Sequence, residues 1–107
     1  MDREAMRGKS DFTFDVYGQQ YSVEFVSKVL DPDGNIEVCG LCDMESSKIY
    51  VNNKMNKQLT ACTILHELFH AYSRRAGLEN SELSSELEEL IADQFAKVLT
   101  ENFDFKF

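Results

Sequence analysis

Histidine is scarce in this chain. There are only two, with a single proline, no tryptophan and three cysteines. An odd cysteine count argues against the disulfide framework that staples many small secreted domains. Cys39 and Cys42 form a C-x-x-C and Cys62 stands alone. A redox pair would place Cys39 at a helix N-terminus, but Cys39-Gly40-Leu41-Cys42 runs towards a strand. A zinc knuckle would need a second ligand pair. The three are therefore read as reduced, structural thiols. Basic side chains are also few, 11 against 19 acidic, giving a formal net charge of −8. That average repels a phosphate backbone, so nucleic acid is not expected as a main partner. No stretch approaches the ~20 apolar residues of a membrane span. Met1 to Ser10 lacks the apolar core of a signal peptide. The expectation is a cytoplasmic protein without membrane contact.

What is present suffices for a core. The 107 residues, 43% of them hydrophobic, fit a polar tail over residues 1–10 and a single domain over 11–107. Phe12, Phe14 and Val16 alternate with polar neighbours, and Tyr21, Val23 and Phe25 do so again after Gly18-Gln19. This predicts a β-hairpin with one apolar face. Asp31-Pro32-Asp33-Gly34-Asn35 is a dense turn signal. Its acidic spacing faintly resembles a calcium loop, but Ile36 stands where such a loop needs glycine. Ile36 to Leu41 is predicted as a third strand and Ile49-Tyr50-Val51 as a fourth, separated by a polar turn over Asp43 to Lys48. A helix follows from the N-cap Asn56, with Leu59, Cys62, Leu65, Leu68, Phe69 and Tyr72 as its buried face and Gly77 as its stop. A second helix is expected from about Ser81 to Thr100, with a Ser85/Glu88 capping box if it starts late. Its apolar stripe is Leu83, Leu87, Leu90, Ile91, Phe95 and Val98. The expected class is α+β: a small, mainly antiparallel sheet packed against two helices.

Both histidines fall in one pentapeptide, His66-Glu67-Leu68-Phe69-His70, an H-E-x-x-H within the first helix. Four residues apart on a helix, the two rings lie one turn above each other on one face. That spacing suits a single Zn²⁺, and Glu67 lies where a general base for a metal-activated water would sit. A catalytic zinc needs a third protein ligand. No histidine remains, and Cys62 belongs to the apolar side of the motif helix. Glu86, Glu89 and Asp93 share one face of the second helix at i, i+3 and i+7, while Glu88 points to a different side. Glu89 is favoured as the ligand, with Asp93 one turn later as acceptor for a histidine ring N–H. Glu86 is the alternative.

Leu65-His66-Glu67-Leu68-Phe69-His70-Ala71 followed by Glu89-Leu90-Ile91-Ala92-Asp93-Gln94-Phe95-Ala96 resembles the gluzincin-type metallopeptidases of the ImmA/IrrE group. These are common in prophages, mobile elements and stress-response loci, and their second motif reads E-x-x-A-[N/D]-x-F-A. Gly40-Leu41-Cys42-Asp43 before Ile49-Tyr50-Val51 also matches a segment that leads into the strand flanking their cleft. The resemblance covers roughly residues 36–100. It implies one zinc held by His66, His70 and Glu89, with Asp93 behind a ligating histidine and Glu67 as base. From its size the chain is expected to be a minimal version, without the DNA-binding or sensor domain of longer members.

The function so implied is zinc-dependent hydrolysis of a peptide bond in a protein or peptide substrate. The alternative is a non-catalytic zinc-binding interaction protein. Ile49, Tyr50 and Val51 are expected to pair with an extended substrate backbone, as exposed sheet edges do. Tyr50, Tyr72, Arg74 and Arg75 are the candidates for stabilising an oxyanion.

Overall fold

The computed structural model describes residues 10–78 and 82–107. The elements are β1 (Ser10–Val16), β2 (Gln19–Val26), β3 (Gly40–Asp43), β4 (Lys48–Asn52), α1 (Lys57–Ala76) and α2 (Ser85–Asn102). Of the expected tail, residues 1–9 lie outside the described residues, and Ser10 already opens β1. The four strands order as β1-β2-β4-β3. β1/β2 and β3/β4 are antiparallel and β2/β4 is parallel, so the sheet is mixed but mainly antiparallel. Helix α1 lies against the sheet and α2 packs on α1. No helix among the described residues is long and apolar enough to cross a membrane.

Alternation along the hairpin decides which side is core. Val16 pairs with Gln19, and the intervening Tyr17 and Gly18 have φ of 48° and 82°, the paired positive values that match the twist of two-residue hairpins. Tyr21, Val23 and Phe25 then all point inward. With Ile49 and Val51 of β4 and Ile64 of α1, Val23 and Phe25 make the main core. Tyr21 joins Val16 and Ala71 in a second cluster beside it. The chain end contributes as well: Phe107 stacks on Phe12, centroids 5.3 Å apart.

The third strand begins later than predicted. The Asp31 carboxylate accepts the N–H groups of Asn35 and Ile36, and Leu30 bridges to Glu37. The turn thus absorbs the start of the segment assigned to strand, and β3 runs on to Asp43. Ile49-Tyr50-Val51 is the predicted fourth strand, but it is not an edge. It is bonded to β2 on one side and β3 on the other, and Ile49 and Val51 are fully buried. Its backbone has no free side for a substrate, which corrects that expectation. The free edge nearest α1 belongs to β3.

Both helices end where capping chemistry directs. The Asn56 side chain accepts the Leu59 N–H at 2.8 Å, and Gly77 closes α1 at φ 77° behind Arg74 and Arg75. Helix α2 starts at Ser85, with Ser84 rather than Ser85 as the cap, accepting the Leu87 N–H. Glu88 does not form the expected capping box, because its carboxylate is engaged elsewhere.

The buried faces are rotated from those predicted. In α1 the inward residues are small or polar, with Thr60, Ala61, Thr63, Glu67, Ala71 and Ser73 joining Ile64, while Leu59 and Tyr72 are exposed. In α2 only Ala92 and Ala96 are buried, and Leu87, Leu90, Ile91, Phe95 and Val98 face solvent. The reason is close approach: short side chains let α1 sit near both the sheet and α2.

Gly40 is where β3 comes nearest to α1. A Cβ there would lie 2.6 Å from Thr63 Cγ2 and 3.3 Å from Glu67 Cγ, closer than packed carbons allow. Gly40→Ala is expected to cost about 1–3 kcal/mol of stability through overpacking, measured by urea denaturation. Thr63→Ser, which removes the opposing methyl, should restore part of that loss in the double variant.

Candidate metal site

On α1 the spacing of the H-E-x-x-H motif does what helix geometry requires. His66 and His70 stand one turn apart with ring centroids 4.9 Å apart, and their Nε2 atoms approach to 3.2 Å. Glu89 reaches across from α2. Its Oε1 lies 2.6 Å from His70 Nε2 and its Oε2 3.2 Å from His66 Nε2. One donor atom from each of the three lies within 4.8 Å of the other two. Zinc–nitrogen bonds of about 2.0–2.1 Å in a tetrahedron place donor atoms about 3.3 Å apart, so this set has the span for a divalent ion.

The hydrogen-bond pattern supports the same conclusion. His70 Nδ1 lies 2.6 Å from Glu88 Oε2. An ionised carboxylate only accepts, so the ring proton sits on Nδ1. In the neutral ring, Nε2 then presents a lone pair to the Glu89 carboxylate. Lone pairs repel at that distance unless a cation or a second ring proton lies between them. Ser73 Oγ donates to the other Glu88 oxygen at 2.7 Å. Burial alone would raise the Glu88 pKa. The bonds from Ser73 and His70, with the charges of His70 and Arg74, outweigh it and hold the carboxyl below the ordinary Glu value.

Glu88 is the residue that sequence reasoning missed. Asp93, expected behind a histidine, pairs with Lys97 at 3.2 Å and lies near Cys62, whose thiol is pushed up by burial first and by the Asp93 charge second. The cause is helix direction. His70 and Ser73 meet Glu88, His66 meets Glu89, and Cys62 meets Asp93, so α1 and α2 run antiparallel. A residue later on α2 therefore lies nearer the start of α1. The short connection between the helices was the available signal, since it favours antiparallel neighbours. Glu86 is exposed and stands outside the cluster.

Glu67 points to the other side of the triad, beneath β3, and is 9% exposed. Burial pushes its carboxyl above the ordinary Glu value; His66 and His70 pull it back, and the Cys42 backbone amide adds a smaller downward pull. Above it opens a cleft of about 660 Å³ whose walls are β3, α1 and α2, and which includes His66, Glu67, His70, Glu88 and Glu89. Cys39 O accepts the Asn52 N–H. With Gly40 paired to Val51 and Cys42 to Ile49, the alternation of antiparallel bonding turns the Gly40 and Cys42 backbone groups away from β4 and towards this cleft. Of the four oxyanion candidates, Arg74 alone lines it. Tyr72 stacks on Tyr17, Arg75 reaches the Tyr17 carbonyl, and Tyr50 lies on interior β4.

No family model, curated protein or solved structure matches this chain.

The cysteines are free thiols, as the sequence suggested. Burial, followed by the Glu67 charge, pushes Cys42 up to about 12. Folded protein at pH 8 should thus be alkylated by iodoacetamide at exposed Cys39, with Cys42 modified only after unfolding; peptide mapping by mass spectrometry reads both. Glu88→Ala removes the acceptor that orients His70. It should weaken zinc binding by about 10–100-fold, measured by competition with a chromophoric chelator, whereas Asp93→Ala should change it little.

Proposed function

We propose that the protein is a zinc-dependent metallopeptidase. His66, His70 and Glu89 would hold the ion, Glu67 would act as general base, and Glu88 would orient His70. The observation that carries the reading is the position of Glu67: a buried carboxyl beside a three-donor cluster, opening on a cleft. A closed structural zinc has four protein ligands and needs no adjacent base. Among the described residues the cluster offers three, which leaves a position for water or substrate. The resemblance of the two motifs to ImmA/IrrE-type metallopeptidases supports the same assignment.

A zinc ion bound there supplies Lewis acidity towards water and a peptide carbonyl. Glu67 takes the proton of the attacking water and later delivers it to the leaving amine. Its burial beside the cluster keeps the carboxyl close to the reacting water and out of bulk solvent. The outward backbone groups of Gly40 and the Cys42 carbonyl on β3 offer an extended substrate a strand to pair with, while the Cys42 amide serves Glu67. Among the oxyanion candidates, Arg74 is the one that lines the cleft.

Zinc content of the purified protein, alongside a peptide-library digest read by mass spectrometry, tests this. The parent should carry zinc near one per chain and cleave. Glu89→Ala should lose most of the metal. Glu67→Gln should keep the metal and lose cleavage by a factor of about 10² or more. Stoichiometric zinc without cleavage in the parent would favour the non-catalytic zinc-binding alternative. A parent that takes up no zinc would sink both.

A further inference from the structure

Helix α2 carries much more apolar surface than it buries. Its only fully buried side chains are Ala92 and Ala96. Outward, Leu87, Leu90, Ile91, Phe95 and Val98 are 38% to 54% exposed. Together these five leave roughly 500 Å² of apolar surface in water, a size at which a patch is often functional. Leu87, Ile91, Gln94 and Val98 follow 4-3-4 spacing, the seam that helices use to pack at a shallow crossing angle. Phe95 and Leu90 flank this seam, one on each side, and none of these six positions is charged.

We infer that this face of α2 is an interface with a second copy of the chain, α2 crossing α2 in antiparallel orientation. Area and charge both select that occupant. A two-fold contact buries the same patch twice. Twice the apolar patch, with its flanking polar atoms, reaches the ~1,200 Å² at the lower end of stable interfaces. The charges then set the direction. Lys97 is the sole basic residue of α2, and Glu86 lies in its first turn. An antiparallel crossing brings Lys97 of each copy towards the acidic first turn of the other. A parallel crossing would set Glu86 against Glu86. Lys97 is half exposed in its pair with Asp93 and is free to re-orient. The inference does not depend on the peptidase reading, because Glu88 and Glu89 project from a different side of the helix.

The test is sedimentation velocity on the full chain from about 1 to 200 µM, with and without added zinc, in salt of about 0.15 M to screen the net negative charge. The expected result is a shift from monomer to dimer mass across that range. Leu90→Glu and Phe95→Glu should each raise the dimer dissociation constant at least tenfold, while Phe95→Leu should leave it within about threefold. Circular dichroism of each variant establishes that α2 is still folded. A parent that stays monomeric throughout overturns the proposal. So does a dimer that folded Leu90→Glu and Phe95→Glu leave intact, because the contact would then lie elsewhere.

Discussion

Helix α1 has to lie close to two neighbours at once, and small residues make this possible on both sides. Gly40 lets β3 descend until only a methyl group of Thr63 and the stem of Glu67 separate strand from helix. Ala92 and Ala96 let α2 approach from the other side. Between these contacts lie the two histidines and the buried glutamate. A bulkier residue at either contact would push a wall of the site outward, and metal coordination tolerates shifts of only about 0.2 Å.

The electrostatics follow from that squeeze. Glu67 is buried because β3 covers it, and burial raises its pKa. Glu88 is also withdrawn from water, yet its carboxylate is satisfied by Ser73 and His70 and titrates lower than usual. Two glutamates within one small cleft are thus driven in opposite directions. Burial pushes one up, while the bonds from Ser73 and His70 hold the other down. Such separation of carboxyl roles by environment is how acid–base sites are commonly built.

The small-residue packing has a cost on the far side of the molecule. Because α2 approaches through alanines, its Leu87, Leu90, Ile91, Phe95 and Val98 are left in water. A hydrophobic stripe at helical spacing reads as core from sequence, since most such stripes are. Here the alanines beside it take that place. The periodicity was legible, but which arc of it faced inward depended on how near α1 could come.

What sequence alone determined is whatever depends on neighbours along the chain. The Tyr17-Gly18 turn, the Asp31 loop, the Asn56 and Gly77 caps and the one-turn stacking of His66 on His70 are all set within a few residues. The α+β class followed from two kinds of periodicity. Glu89 could be named because it shares one face of the second helix with Glu86 and Asp93 and opens the E-x-x-A-D-x-F-A pattern. Tertiary structure decided what depends on direction and depth. The antiparallel run of α2 against α1 brought Glu88, not Asp93, to His70. The order β1-β2-β4-β3 put Ile49-Tyr50-Val51 inside the sheet and gave the free edge to β3. Strand order relates segments distant in sequence, and the facing of two helices depends on their direction; local periodicity carries no term for either, and only the short connection hinted at the second.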